Sequence, residues 1–169
     1  MRPEHKADYR EYVVANLDRM RRFAYLSCGD WHRAEDAVQI AFVKLYAAWK
    51  RASATSLDAY TRRIVVNTLI DQYRRSWLRR EKPREVLPDR PVSDDSTDRL
   101  TVLNALSQLP MRQRATVVLR YWEDMSVEQT AQVMRCSTNT VKTQTQRGLR
   151  ALRALLTESI PESAEGTLI

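Results

Sequence analysis

Glycine is scarce in this 169-residue chain, with three residues in all. Tight turns between strands depend on glycine, and the apolar residues instead recur at 3.6-residue spacing over long stretches, so an all-α fold is expected. Cysteine is as sparse. Cys28 and Cys136 lie 108 residues apart, on segments that read as different domains. Two cysteines without histidine partners make no zinc site, and a disulfide is not expected in a reducing cytosol. Cys136 reads as the filler of a small apolar position in a helix break. The two histidines, His5 and His32, stand in no ligand spacing. No stretch is long and apolar enough to span a membrane, and the N-terminus has no signal-peptide core, so a cytoplasmic protein with no membrane insertion is expected. There is no ATP-binding motif and no His/Asp/Glu constellation for metal or acid–base chemistry, so neither an enzyme nor a cofactor is expected.

What is present is positive charge. The net charge is +7, which suggests a polyanionic partner. Residues 1–80 hold 16 Lys/Arg against 9 Asp/Glu, residues 81–97 hold 3 against 5, and residues 98–169 hold 9 against 7. The segment 81–97, EKPREVLPDRPVSDDST, combines three prolines with clustered acids and Ser/Thr. It reads as a flexible linker between two small helical domains, 8–80 and 98–157, and 161–169 reads as a frayed tail.

The most specific pattern is SVEQTAQVMRCSTNTVKTQTQRGLRALRALL, residues 126–156. Ser126 and Gln129 have capping-box spacing, and Val127, Ala131 and Met134 follow on one helical face. Arg135-Cys136-Ser137 breaks the run, with Ser137 or Thr138 able to cap a second helix. On that helix Val141, Thr145, Gly148, Leu149, Leu152 and Leu156 gather inward, while Asn139, Lys142, Thr143, Gln146 and Arg150 gather outward. The outward side carries residue types that read base edges and phosphates in a major groove, and no acid stands between Lys142 and Thr157. A helix-turn-helix and DNA as partner are the reading; an ordinary helical hairpin with a solvated face is the alternative. Val117, Val118, Tyr121 and Trp122 are expected to brace it, and Pro110 to start the helix before it.

In the first domain the spacing predicts helices near 8–28, 33–50 and 58–79, the second opened by Asp30 or a neighbour and the third by Ser56 or Asp58. The second buries Ala34, Val38, Ala41, Phe42, Leu45 and Trp49. A different face carries Asp36, Gln39, Ile40, Val43 and Ala47, mixing polar anchors with apolar groups as a docking surface does; a helix buried on two sides has the same periodicity. The third helix is expected to bury Val65, Val66, Leu69, Ile70 and Tyr73. Its opposite face aligns Tyr60, Arg63, Asn67, Asp71 and Arg74, with arginine pairs at 62–63, 74–75 and 79–80, suited to phosphates, base edges and unpaired bases.

In order and spacing, AEDAVQIAFVKLYAAW, AYTRRIVVNTLIDQYRR, a linker, and LSQLPMRQRATVVLRYWEDMSVEQTAQVMRCSTNTVKTQTQRGLRAL resemble a bacterial RNA polymerase sigma factor of the extracytoplasmic-function class, over about residues 8–157. The resemblance implies that 8–80 is region two and 98–157 region four. It further implies RNA polymerase core as partner, docked through its largest-subunit clamp helices on Asp36, Gln39, Ile40 and Val43. Promoter DNA would be read at the minus-10 element by Tyr60, Arg63, Asn67, Asp71 and Arg74, with the loop near 50–57 capturing a flipped base. At the minus-35 element Lys142, Thr143 and Gln146 would read bases, and Thr138, Asn139, Thr140, Arg147 and Arg150 would complete the contact. An anti-sigma factor is a candidate further partner, and the bacterial nucleoid the expected place of action. The chain departs from the family pattern at Ile40, where an acid is frequent, at Arg135, where glycine is usual, and at Gln144, Thr145 and Gln146. A stand-alone helix-turn-helix regulator accounts for 126–156 but not for the face at 36–40.

Overall fold

The computed structural model describes residues 1–79 and 96–159, and among these every regular element is a helix. The linker read at 81–97 therefore falls almost wholly outside the described residues, as do Arg80 and the tail at 161–169. Four helices form the first lobe: α1 (Pro3–Cys28), α2 (Trp31–Ala47), α3 (Trp49–Ser53) and α4 (Leu57–Leu78). Four form the second: α5 (Ser96–Ser107), α6 (Met111–Tyr121), α7 (Val127–Met134) and α8 (Thr138–Ser159). Ser96 and Thr97, read as linker, belong to α5.

Local chemistry sets the helix ends. Gly29 takes the left-handed conformation at φ 75° and stops α1, its N–H donating to the Tyr25 carbonyl, a position that favours glycine because it has no Cβ to clash. Asp30 then opens α2 by accepting the His32 and Arg33 N–H groups, and Ser56 opens α4 by accepting from Ala59. The helix expected over 33–50 is interrupted at Ala48, so Trp49 enters the core from the short α3. In the second lobe Pro110 is the residue just before α6. Ser126 and Gln129 form the expected capping box, and the Ser137 hydroxyl accepts from the Thr140 N–H at 3.1 Å. Arg135 ends α7 at φ 53°, so an arginine occupies a left-handed position that favours glycine, at a cost of about 1 kcal/mol.

The first lobe packs α1 and α4 on α2. Ala34, Ala37 and Ala41 keep α2 slim, so that Met20, Phe23, Val38, Leu45, Val65, Val66 and Leu69 close around it almost without exposure. In the second lobe α8 lies on α6, α7 and α5, around Leu106, Val117, Val118, Leu119, Val133 and Val141. Gly148 is buried there, and a Cβ on it would fall 2.6 Å from Val117 Cγ2, which explains why that inward position is glycine. Thr145 faces inward with its hydroxyl bonded to the Val141 carbonyl at 2.7 Å, so the polar replacement is satisfied within its own helix.

Three expected core residues lie outside. Tyr73 is 46% exposed, Tyr121 56% and Trp122 44%. Each continues an apolar stripe past the point where a neighbouring helix covers it: Tyr121 is the last residue of α6 and Trp122 its C-cap. Val117 and Val118 brace the helix-turn-helix as expected.

The two lobes touch: α4 packs on α7 and α6, and α1 on α6 and α5. Among the described residues, polar ties cross this seam at Glu123 and at Arg114. Arg62 of α4 donates to the Glu123 carboxylate from Nη2 at 2.5 Å and Nε at 3.1 Å. Arg19 approaches the same oxygen at 3.4 Å. Arg114 of α6 donates from Nε to the Leu26 carbonyl in the last turn of α1 at 2.6 Å.

Candidate polymerase and promoter-DNA interfaces

The face of α2 opposite its alanine stripe is turned largely to solvent. Asp36 and Gln39 are exposed, Ile40 is half-buried against the core, and Val43 is 70% exposed. Gln72 of α4 donates from Nε2 to Asp36 Oδ2 at 2.6 Å, which holds that carboxylate in one orientation without neutralising it. The result is a short ridge with an acid and an amide beside an uncovered valine, the mixture of anchor and apolar contact that a partner helix requires.

On α4, Tyr60, Arg63 and Asn67 are half-buried and Asp71 and Arg74 exposed. The Arg63 guanidinium sits over the Tyr60 ring at 5.6 Å, so the cation and the aromatic face are organised as one unit. Beside them Lys44, Lys50, Arg51 and Tyr60 line an open concavity at the junction of α2, α3 and α4. Three cations around a tyrosine ring suit a phosphodiester with an unstacked base. Arg62 does not join this surface. It is 2% exposed and committed to Glu123, with Asp58 a further acid at 3.7 Å. Of the arginine pair 62–63, only Arg63 faces out.

On α8, Thr138, Asn139, Thr140, Lys142, Thr143, Gln146, Arg147 and Arg150 are all exposed, while Val141, Gly148 and Leu152 hold the opposite side in the core. The outward face is thus unbroken over three turns and carries three cations and no acid. Thr140 has a second task, since its hydroxyl pairs with Ser137 Oγ at 2.9 Å within the cap. Gln144 turns partly inward and is not on this face.

In the second lobe burial raises the Cys136 thiol in the helix-turn-helix break, and the other shifted ionisations lie in the seam and the first lobe. Burial pushes the Cys28 thiol up to about 11 and lowers the Arg114 guanidinium. Burial likewise raises the Tyr12 phenol, whose hydroxyl donates to Asp58 at 2.7 Å. The sequence reading missed Arg19, Arg114 and Glu123. One signal was available for Arg114: it falls one turn before Val118, on the apolar side of α6. Among the described residues no group of three or more His, Cys, Asp or Glu is placed to hold a metal, and no helix is long and apolar enough to cross a membrane.

Two helical lobes, one presenting an arginine–tyrosine surface and the other a helix-turn-helix, define a DNA-binding protein. Residues 12–79 match the family described as Sigma-70 region 2, and residues 99–152 match Sigma-70, region 4. The RNA polymerase sigma-E factor of Streptomyces avermitilis is 40% identical over 151 residues, covering 86% of this chain and 83% of that protein. The sigma-E factor of Streptomyces coelicolor is 38% identical over 151 residues, covering 86% and 84%. Among solved structures, the sigma factor RpoE in complex with the anti-sigma factor NepR from Bartonella quintana superimposes with a TM-score of 0.77 at 25% identity, covering 89% of this chain and 97% of that one. The chain belongs to the sigma-70 family of RNA polymerase sigma factors, in its extracytoplasmic-function class. It is an alternative sigma factor that directs transcription initiation, which sets aside the stand-alone regulator.

Proposed function

We propose a division of labour among the three surfaces. Residues 8–80 act as region two: Asp36, Gln39, Ile40 and Val43 dock on the clamp helices of the largest polymerase subunit. Tyr60, Arg63, Asn67, Asp71 and Arg74 engage the minus-10 element. Residues 98–157 act as region four, with Lys142, Thr143 and Gln146 on minus-35 base edges, Thr138, Thr140, Arg147 and Arg150 along the phosphates, and Asn139 completing the minus-35 contact. The observation that carries this reading is the uninterrupted exposed face of α8, cationic and amide-bearing, on a helix whose other side is fixed by Val141, Gly148 and Leu152.

Each reader alone makes few phosphate contacts, and such binding is weak and salt-sensitive. Joining both on polymerase raises the effective concentration of the second contact. Taking bases out of the stack costs roughly a few kcal/mol each, offset here by stacking on Tyr60 and by the cations around it. Strand opening is driven by binding energy, with no catalytic group and no cofactor. An anti-sigma factor is a fitting further partner, as the Bartonella relative has one, and the nucleoid is the place of action.

The test is run-off transcription with core polymerase on a panel of minus-35 variants. Lys142→Ala or Gln146→Ala is expected to re-rank the panel while core binding stays intact. An equal loss on every variant would count against base reading.

A further inference from the structure

The corner where α2 ends carries a second concavity that the docking ridge and the two DNA surfaces leave unused. α2 stops at Ala48, whose backbone leaves the helical range at φ −107° and ψ 16°. The short α3 then turns the chain, so that Trp49 is buried while Lys50 and Arg51 point to solvent. On α1, Arg2, His5 and Tyr9 follow at three- and four-residue steps along one face. Tyr9 is the anchor of this corner. Its hydroxyl donates to the Phe42 carbonyl at 2.8 Å, and its ring meets Trp49 edge-on at 5.7 Å and Tyr46 edge-on at 5.1 Å. Packing thus fixes the Tyr46 ring, yet 41% of the residue stays exposed.

Arg2, His5, Tyr46, Trp49 and Lys50 line an open concavity between the start of α1 and the α2–α3 corner. It adjoins the one beside Tyr60, because Ala47 and Lys50 line both. Among the described residues no acid lines either concavity. The cations of this lobe that pair with acids are Arg19, Arg21, Arg33 and Arg62. Arg2, Lys44, Lys50 and Arg51 are not among them, and Arg2 makes no side-chain cap on α1. Like charges gathered without a counterion repel one another, and a polyanion laid across them relieves that cost. The ridge at Asp36, Gln39 and Val43 has the opposite character, an acid and an amide beside a valine, so the two surfaces suit different partners.

We propose that this corner is a second subsite for single-stranded DNA. The strand whose unpaired base is taken at Tyr60 continues around α3, with Lys50 on the phosphate between the two concavities. Tyr46 stacks on a further unpaired base, and Arg2 and His5 hold the phosphate beyond it. The inference rests on the minus-10 reading of α4. Stacking accepts any base, and a ring already fixed by packing loses little freedom on binding. The subsite therefore adds affinity for unpaired strand without adding sequence preference.

Fluorescence anisotropy of the full chain tests this with a labelled oligothymidylate of about 12 nucleotides and with an abasic strand of the same length. Tyr46→Leu keeps an apolar side chain against Tyr9 and is expected to weaken oligothymidylate binding about five- to ten-fold, leaving the abasic strand unchanged. Arg2→Ala should weaken binding of both strands and lower the slope of log affinity against log salt by about 0.7, the share of one phosphate. Both variants should keep wild-type affinity for polymerase core and wild-type helical circular dichroism. Tyr46→Leu matching wild type on oligothymidylate, or losing equally on both strands, would overturn the stacking and with it the subsite. Loss of core affinity would overturn it too, assigning the corner to polymerase. Should Tyr46→Leu lose helical signal, Arg2→Ala at the exposed start of α1 decides alone, and an unchanged salt slope refutes the subsite. Arg63→Ala separates the two readings. Weakening at Tyr46 and Arg2 but not at Arg63 sinks the minus-10 reading and sustains the corner, whereas weakening at Arg63 alone sinks the corner.

Discussion

At the scale of single residues, Gly148 shows how one hydrogen atom decides a packing distance. Alanine is a better helix former than glycine by about 1 kcal/mol, so propensity alone favours Gly148→Ala. Against it stands a Cβ 2.6 Å from Val117 Cγ2, with Val117 fully buried. Overpacking of a closed core costs about 1–3 kcal/mol, and a valine at full burial has no free rotamer to retreat into. The clash wins. Gly148→Ala is expected to lower stability by about 1–2 kcal/mol in urea unfolding, and Gly148→Ala with Val117→Ala to recover part of the loss relative to Val117→Ala alone. A midpoint equal to or above wild type would show that α8 can shift away from α6.

At the scale of elements, caps and periodicity did most of the work. Asp30, Ser56, Ser126 and Gln129 were readable as helix starts because each meets a local need, an unpaired N–H two or three residues on. Ser126→Ala removes the Gln129 N–H acceptor, now at 3.0 Å, and leaves only the reverse bond from the Ser126 N–H to the Gln129 side chain at 2.9 Å. The expected loss is about 1 kcal/mol, with Ser126→Asp close to wild type in the same denaturation series; an unperturbed Ser126→Ala would mean that tertiary packing alone fixes α7. Periodicity gave the inward faces of α2 and α8 and the exposed face of α8, because helical phase is a local property. It overextended at Tyr73, Tyr121 and Trp122, since phase says which side is apolar but not where the covering neighbour ends. It could not find the seam. Arg62, Glu123 and Arg114 find their seam partners 61 and 88 residues away in sequence, and a charged residue that is paired through tertiary contact looks on a helical wheel like any solvated one.

At the scale of the whole molecule, the packing of the two lobes has a titration signature at Cys28. Its Sγ–H donates to the Asp30 carbonyl at 3.3 Å, and burial lifts the thiol from an ordinary 9.0 to about 11. The charged groups around it are Asp30 and Arg33 of the first lobe and Arg114 of the second. Between pH 9 and 11 the folded chain keeps a proton that the unfolded chain has released. Stability contributed by this group is therefore complete below pH 9 and falls as pH rises toward 11, by about 1.4 kcal/mol per pH unit. The half-buried phenols of Tyr9, Tyr12 and Tyr25 are raised too and act in the same direction, so the Cys28 share is the difference between wild type and Cys28→Ala. That difference is expected to narrow steadily from pH 8.5 to 10.5 as wild type loses stability faster. A constant gap would place the thiol in contact with water. Arg114 of the second lobe lies over the end of α1 beside Cys28 and contributes to that environment.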